Sequence, residues 1–458
     1  MEIKIDCTGI ATGTLTDSIT KRLNALIDDG KLQPGAKMPS IRQFAKDNGV
    51  SRFTTVQIYD RLVALGKLES RHGSGFYVRK HLKSIDLIDV DGSTAESLMT
   101  IESTTKLFNA SRATFPPDWL QPDMLERAYR RVARHGFRTL VDGYGEYGGY
   151  RPLREAIQSR LHGIDIHCDA SQIITTNGAL SAIDIAIKLA CKPGDTAILD
   201  KPGYPLYKQI LENNQINIAF VDRQEFGPNA AQLESVLKHT NAKLYISTTL
   251  SHNPTGANLR PADAFTLLKL ADQYDFAIIE DDVFGTLDPT TPLRLATLDQ
   301  VNRVFYVNSY SKTLSGKMRI GYLLVPANKR DQALRVRVGH RPSELDERIV
   351  DEVLREGAYR KHINQLIAKL SSARIKVAKE VAQRNFTAFS RNHFSMYEFI
   401  HHPALENEER LISLARESGL FFLTGSYFDM PEPGWIRLAY PWARDRRVWD
   451  FFDQIGVR

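Results

Sequence analysis

The chain has 458 residues, of which 42% are hydrophobic and 25% are charged, and its formal net charge is +6. This length exceeds what one hydrophobic core usually organises, so it predicts two or three folding units. The composition is that of an ordinary globular protein, and the sequence has no run of about 20 apolar residues that could span a membrane.

The cysteines and the first residues give an expectation for the compartment. Cys7, Cys168 and Cys191 are far apart and odd in number, which argues against a disulfide framework or a zinc site. Charged residues stand among the first six positions, where a signal peptide would need an apolar block. We therefore expect a cytoplasmic protein, associated with the nucleoid if it binds DNA, without a metal site.

Positive charge is concentrated near the N-terminus. Residues 1–80 contain 13 Lys and Arg against 8 Asp and Glu, a net +5 of the +6 carried by the whole chain. A positive field confined to one unit is typical of a domain that faces a polyanion such as DNA. On charge alone, a small domain that happens to be basic explains the count equally well.

The pattern in residues 1–80 predicts a winged helix-turn-helix. Apolar residues at helical spacing between Leu15 and Ile27 predict a first helix that ends near residues 28–30. Ser40 is expected to cap a second helix, and Gly49-Val50-Ser51 is expected to turn into a third. Residues 68–78 predict two short strands around a glycine-rich tip, which is a wing.

The third predicted helix, Arg52 to Leu65, would be the one that reads DNA. In this fold that helix enters the major groove, and the wing contacts phosphate or the minor groove. We expect it to bury Val56, Tyr59, Leu62 and Val63 and to expose Arg52, Thr54, Thr55, Gln57 and Arg61.

Several segments of this unit resemble the DNA-binding domain of GntR-type bacterial regulators. They are Gly35-Ala36-Lys37-Met38-Pro39-Ser40-Ile41-Arg42, Val50-Ser51-Arg52, Ala64-Leu65-Gly66 and Arg71-His72-Gly73-Ser74-Gly75. The resemblance implies double-stranded operator DNA as a partner. The residues expected to bind DNA are Arg42, Arg52, Thr54, Gln57, Arg71 and Ser74.

Residues 81–105 have few large apolar residues and no clear period, so they predict a flexible linker. From Phe108 onward predicted strands and helices alternate, which indicates an α/β fold with a mostly parallel sheet. We expect a second domain over 106–458, with a large subdomain at about 160–335 and a small one at about 336–458.

Polar loops follow the predicted strands of this domain, where the ligand crevice of an open α/β sheet lies. Their residue types suit an aldehyde cofactor with a pyridine ring and a phosphate. A lysine forms a Schiff base with the aldehyde, an acid holds a proton on the ring nitrogen, and hydroxyls, an arginine and helix N-terminal amides hold the phosphate. Lys312 is the expected lysine and Asp281 the expected acid.

The order and spacing of these loops resemble fold-type I pyridoxal-phosphate aminotransferases over residues 106–458. The resemblance implies that Tyr204 stacks on the cofactor ring and that Asn253 binds its 3′-oxygen. Tyr144 would reach the phosphate in a partner subunit, which implies a homodimer, and Arg437 would grip the α-carboxylate of an amino acid. The implied phosphate cup consists of Asn177, Gly178, Ala179, Ser309, Ser311 and Arg319.

The two halves in this order resemble the MocR/GabR subfamily of GntR-type regulators. The resemblance implies a transcription regulator that senses pyridoxal phosphate, another B6 vitamer or a small amino compound through Lys312. Val283-Phe284 stand where several relatives place a tyrosine beside the cofactor, and Leu206 stands near the carboxylate-binding arginine of γ-aminobutyrate-responsive members. Two alternatives remain open: a working aminotransferase with a DNA-binding extension, and a repressor whose large domain is a scaffold without cofactor.

Overall fold

A computed structural model describes residues 15–29, 31–71, 74–79, 107–290, 292–339, 341–355, 357–390 and 394–457. The chain divides into two compact units, residues 1–92 and 93–458. The linker expected at residues 81–105 lies outside the described residues, as do His72 and Gly73 of the expected wing tip.

The N-terminal unit contains three helices followed by an antiparallel pair of strands. They are α1 (Leu15–Asp28), α2 (Ile41–Asp47), α3 (Arg52–Ala64), β1 (Leu68–Arg71) and β2 (Gly75–Val78). Ser40 caps α2 by accepting the amide of Gln43 at 3.2 Å, and Ser51 caps α3 by accepting the amide of Thr54 at 3.0 Å. The order of elements is that of the expected winged helix-turn-helix.

Two of the four residues predicted to be buried in α3, Tyr59 and Leu62, are buried, whereas Thr55, which was expected to be exposed, is buried as well. The buried residues of α3 are Thr55, Ile58, Tyr59 and Leu62, whereas Val56 and Val63 are half-buried. The spacing i, i+3, i+4, i+7 defines one stripe of a helix, and it begins at Thr55. Burial of this threonine is possible because its hydroxyl donates to the carbonyl of Ser51 at 3.2 Å.

The second unit has its helices distributed along the whole chain. They are α4 (Pro122–His135), α5 (Phe137–Leu140), α6 (Arg151–His162), α7 (Gly178–Ala190), α8 (Pro205–Asn213), α9 (Ala230–Thr240), α10 (Pro261–Gln273), α11 (Leu295–Asp299), α12 (Arg330–Val336), α13 (Glu344–Arg355), α14 (Ala358–Gln383), α15 (Glu408–Glu417), α16 (Tyr440–Ala443) and α17 (Arg446–Gln454).

The strands of this unit form a large sheet and two smaller ones. They are β3 (Phe108–Asn109), β4 (Ile173–Asn177), β5 (Thr196–Lys201), β6 (Asn217–Gln224), β7 (Gly227–Pro228), β8 (Leu244–Ser247), β9 (Ala277–Asp281), β10 (Val304–Ser309), β11 (Ile320–Leu324), β12 (Thr387–Ala388), β13 (Tyr397–His401), β14 (Leu420–Phe421), β15 (Leu423–Thr424) and β16 (Trp435–Ala439).

The large sheet has the strand order β4-β11-β10-β9-β8-β5-β6-β7. The strands β10, β9, β8, β5 and β6 pair in parallel, whereas β11 lies antiparallel between β4 and β10. Ile278 and Ile279 belong to two different core clusters, because successive side chains of a strand point to opposite faces. Both faces of the sheet are therefore buried, as expected for a mostly parallel sheet.

The C-terminal part adds an antiparallel sheet of order β12-β13-β16-β15, and β14 pairs with β3 in parallel. β3 begins at Phe108, so the first described strand of this unit is completed by residues more than 300 positions later in the chain. In the part of the chain that the structure describes, no helix is both long and apolar enough to cross a membrane. The same residues contain no cluster of His, Cys, Asp and Glu suited to a metal ion.

Candidate functional site

A cavity of about 260 Å³ opens at the carboxyl ends of the parallel strands. Asp281 is the last residue of β9, Asn253 and Lys312 lie in the loops that follow β8 and β10, and Arg437 lies within β16 of the smaller sheet. Six of the residues predicted from the sequence line this cavity together: Ala179, Tyr204, Asn253, Asp281, Lys312 and Arg437. The loops reach one place because parallel strands end at one edge of a sheet.

Asp281 is buried and held by two hydrogen bonds. Tyr207 Oη donates to its Oδ2 at 2.6 Å, and the amide of Val283 donates to its Oδ1 at 3.2 Å. Burial raises the pKa of Asp281 to about 6, and both hydrogen bonds act in the opposite direction. The carboxyl group is thus set apart from bulk water, and its two hydrogen bonds favour the ionised form.

Sequence analysis missed Tyr207, which lines the cavity together with Thr248. Tyr207 Oη also lies 3.0 Å from Thr248 Oγ1. The signal was its position three residues after Tyr204, because i and i+3 side chains share one face at the start of a helix. The two tyrosine rings meet edge to face with centroids 5.2 Å apart.

Lys312 is half-buried in the turn after β10. Its Nζ donates to the carbonyl of Ala113 at 3.0 Å and lies 5.6 Å from the centre of the Phe284 ring. The amine is therefore within the cavity. Its positive charge favours the ionised form of Asp281 and so lowers the pKa of this carboxyl group. Val283 and Phe284 both line the cavity.

The residues expected to form a phosphate cup gather beside the cavity. Ser309 Oγ and Ser311 Oγ lie 3.0 Å apart, and Arg319 Nη2 lies 3.4 Å from the carbonyl of Asn177. Gly178 has a φ of +76°, and a Cβ added to it would come within 2.9 Å of the Arg319 guanidinium. This position therefore requires glycine, both for its backbone conformation and for its close approach to the arginine.

Strand β11 is the reason these residues meet. It pairs with β10 on one side, where Gly321 faces Ser309, and with β4 on the other, where Ile320 faces Asn177. Its first residue follows Arg319, so the arginine stands between the ends of both neighbouring strands. The first turn of α7, which begins at Gly178, adds backbone amides that have no acceptor within the helix.

Arg437 is buried and makes two hydrogen bonds to neutral groups. Its Nη1 donates to Asn253 Oδ1, and its Nη2 donates to the carbonyl of Ser111 at 2.7 Å. The guanidinium lies between the rings of Tyr397 and Phe428, at 4.5 and 4.9 Å from their centres. Among the described residues, no carboxylate pairs with it and its buried Nε has no acceptor.

Tyr144 stands apart from the other predicted residues. Its side chain is 94% exposed, and it is not among the described residues that line the cavity of its own chain. The backbone carbonyl of Tyr144 accepts a hydrogen bond from Arg341, which holds the segment in place. The neighbouring Val141 and Tyr147 are also well exposed, at 82% and 69%.

The residues expected to bind DNA lie on the surface of the N-terminal unit. Arg42, Arg52, Gln57, Arg71 and Ser74 are exposed, and Thr54 is half-exposed. The guanidinium of Arg71 does not point freely into solvent. It bonds Glu69 through Nε at 2.9 Å and lies 4.3 Å from the centre of the Tyr77 ring. Sequence analysis did not single out Phe53, an apolar side chain of α3 that is 72% exposed.

Comparisons with known families cover both units. The profile described as aminotransferase class I and II matches residues 117–448, and that described as bacterial regulatory proteins, gntR family, matches residues 15–78.

Among curated relatives, the probable rhizopine catabolism regulatory protein MocR of Rhizobium meliloti is 26% identical over 450 residues, covering 92% of this chain and 88% of that protein. The HTH-type transcriptional regulator YdfD of Bacillus subtilis is 25% identical over 443 residues, covering 91% and 90%.

Solved structures of aminotransferases share the fold of the second unit. The kynurenine aminotransferase of Pyrococcus horikoshii superposes with a TM-score of 0.72 at 18% identity, covering 82% of this chain and 96% of that one. The α-aminoadipate aminotransferase LysN of Thermus thermophilus gives 0.70 at 20% identity, covering 78% and 94%. At these identities the likeness concerns the fold alone.

Proposed function

The chain belongs to the aminotransferase class I and II family and carries a GntR-type helix-turn-helix domain, and from this premise we propose that it is a pyridoxal-phosphate-dependent transcription regulator. One observation carries the proposal. The same chain holds a winged unit with exposed Arg42, Arg52 and Gln57 and a cavity that joins Lys312, Asp281 and Arg437. Acting on chromosomal DNA, it would work in the cytoplasm at the nucleoid.

The residues around the cavity fit pyridoxal phosphate by chemistry and by space. When bound, this cofactor supplies an aldehyde that bonds to amines and a pyridine ring that withdraws electrons. Lys312 would hold it through its amine, and Asp281 would keep a proton on the ring nitrogen. Ser309, Ser311, Arg319 and the first amides of α7 would hold its phosphate, and the lack of a Cβ at Gly178 lets the Arg319 guanidinium lie close to this glycine.

Arg437 and Asn253 would act on the amino compound and on the cofactor as one unit, because they are hydrogen-bonded to each other. Arg437 would pair with a carboxylate, since its planar guanidinium presents donors in the matching geometry. A ligand amine that displaces Lys312 from the cofactor would change the contacts of both side chains. That exchange is the event that we propose the regulator senses.

We also propose that the protein acts as a homodimer in which Tyr144 completes the phosphate cup of the partner subunit. The exposed Val141, Tyr144 and Tyr147 support this proposal, because contiguous exposed apolar and aromatic side chains mark interaction surfaces. Mixing Tyr144→Ala and Lys312→Ala chains tests it: mixed dimers should regain one complete cofactor site. Failure of the mixture to regain any cofactor binding, with dimers formed, would contradict it.

The regulator proposal is tested with DNA from upstream of the protein's own coding region. Binding is measured with and without pyridoxal phosphate, and with a panel of amino acids and B6 vitamers, alongside absorbance spectra of the protein. Lys312→Ala should abolish the visible band of the bound cofactor and the response of DNA affinity to ligands, while leaving weak noncovalent affinity. A DNA affinity that is the same for every ligand tested would contradict a sensory role.

The aminotransferase alternative has a specific observation in its favour, namely that Lys312, Asp281 and Arg437 are all in the cavity. It predicts the conversion of an added amino acid and keto acid at a useful rate. Measuring that conversion on the same preparation separates the two functions, because a sensor needs ligand exchange at Lys312 but no complete turnover.

A further inference from the structure

The proposed function leaves the effector open, and the lining of the cavity narrows its chemical class. We propose that the effector is an α-amino acid with an uncharged side chain. This proposal rests on the proposed function, since it takes the bound cofactor and the pairing of Arg437 with the α-carboxylate as given.

The distribution of charge in the cavity is the first argument. Among the described residues that line it, the cations are Lys312 and Arg437 and the only carboxylate is that of Asp281. The remaining lining residues are apolar or neutral polar. A ligand therefore meets two positive groups and one negative group, and each of them already has a role in the proposed function.

In the proposed function, each of the three charged side chains binds one particular group of the cofactor or the ligand. Asp281 accepts hydrogen bonds from Tyr207 and from the amide of Val283, and in the proposed function it pairs with the ring nitrogen of the cofactor. Lys312 would be occupied by the cofactor aldehyde until a ligand amine replaces it. Arg437 has five N–H donors, of which two are shown to meet protein oxygens, so it retains donors for one carboxylate. Apart from Lys312 and Arg437, the described lining offers no cation to a second carboxylate on the ligand.

The wall near Arg437 satisfies its own polar groups. Asn109 Oδ1 accepts the amide of Ser111 at 2.8 Å, and Ser111 Oγ accepts the amide of Leu423 at 2.9 Å. The Ser111 hydroxyl in turn donates to the carbonyl of Arg437. Phe421 and Leu423 complete this part of the lining with apolar surface. A side chain placed against it loses water without gaining a charged partner.

The segment around Tyr144, which the proposed dimer would bring to the partner's cavity, contains ion pairs and exposed aromatic rings. Its Glu146 and Arg154 pair with each other at 2.6 Å, and Arg151 pairs with Glu155 at 2.8 Å. Its aromatic side chains Tyr144 and Tyr147 are 94% and 69% exposed. The segment would thus contribute aromatic rings and hydroxyls to a neighbouring site.

Burial of an unpaired charge is costly, whereas a neutral side chain of the same size enters such a pocket readily. Two ligand pairs isolate this effect, because their members are similar in size and differ in side-chain charge: L-glutamine with L-glutamate, and L-methionine with L-lysine. Each is titrated into the protein loaded with pyridoxal phosphate, and the dissociation constant is read from the change in the visible spectrum.

We expect the neutral member of each pair to bind at least about 100-fold more tightly than the charged one, the factor associated with leaving a buried charge without a partner. A variant with a new cation in the wall, Leu423→Arg, should reduce the preference for glutamine over glutamate and should maintain or increase the preference for methionine over lysine. L-Methionine thus serves as the internal reference for correct folding of the variant.

Equal or tighter binding of glutamate or lysine to the unaltered protein would overturn the proposal, as would the absence of any spectral response to all four amino acids. Both outcomes can be distinguished from a failure of the proposed function. If the proposed function is wrong, the protein develops no visible cofactor band when pyridoxal phosphate is added, before any amino acid is present.

Discussion

The hydrogen bond from Tyr207 to Asp281 can be removed without removing a ring. Tyr207→Phe deletes the hydroxyl that lies 2.6 Å from Asp281 Oδ2, and the amide of Val283 then remains as the bond that favours the ionised carboxylate. Because burial already raises the pKa of Asp281 to about 6, loss of this bond raises the pKa further.

The size of the change follows from the energy of the bond. A hydrogen bond to a charged group contributes about 1.5–3 kcal/mol, and one pKa unit corresponds to about 1.4 kcal/mol. The pKa of Asp281 in the cofactor-free protein should therefore move from about 6 to roughly 7–8. If the ionised form binds the cofactor, affinity is full above this pKa and falls about tenfold per pH unit below it.

The assay is an absorbance titration of the cofactor-free protein with pyridoxal phosphate between about pH 5.5 and 8.5. Near neutral pH the variant should bind roughly two- to tenfold more weakly than the unaltered protein, and near pH 8.5 the two should converge. Tyr204→Phe is the matched control, because Tyr204 contacts the Tyr207 ring edge to face without a hydrogen bond to Asp281. Parallel pH profiles for Tyr207→Phe and the unaltered protein would refute the reasoning.

Three further predictions concern other parts of the chain. Arg52→Ala should weaken DNA binding and lower the salt dependence by about one phosphate contact, with the cofactor spectrum unchanged. Gly178→Ala should weaken cofactor binding by about tenfold or more, since it forces a side chain into a φ of +76° beside Arg319. Ser51→Ala should lower the free energy of unfolding of α3 by about 1 kcal/mol, measured by amide hydrogen exchange.

Each of these has a matched control in the chain. Arg61→Ala removes the same charge from α3 at a side chain that pairs with Asp17, so it should affect DNA binding less than Arg52→Ala. Gly194→Ala also has a positive φ, of +91°, but a Cβ there meets nothing within 4 Å, so cofactor affinity should persist. Ser70→Ala, in the wing, should leave the protection of α3 unchanged. An equal effect of variant and control would contradict the corresponding prediction.

Much of the fold could be predicted because buried parallel strands are short runs of apolar and β-branched residues. β4, β5, β8, β9 and β10 each contain such a run. β11 is not predicted, although it is as buried as its neighbours, because nothing in Ile320–Leu324 indicates that it enters the sheet antiparallel between β4 and β10. β6 is not predicted either, since its residues alternate irregularly between buried and exposed.

The residues of the site also fall into two groups: those that the sequence could predict and those that it could not. Lys312, Asp281 and Asn253 follow predicted strands, so their meeting in one cavity is a consequence of the parallel sheet. Ser111 and Tyr397 come from segments outside that pattern, and only tertiary packing brings them to Arg437. The error at Thr55 arose because a threonine can be buried when its hydroxyl bonds its own helix, which hydrophobic periodicity does not register.

The pairing of distant segments around the cavity also sets an order of events during synthesis. Arg319 reaches the carbonyl of Asn177 across 142 residues, and Arg437 reaches that of Ser111 across 326. The winged unit, in contrast, is complete by Val78, and N-terminal domains fold first as a chain leaves the ribosome. We therefore expect the winged domain to fold while Arg437 is still untranslated.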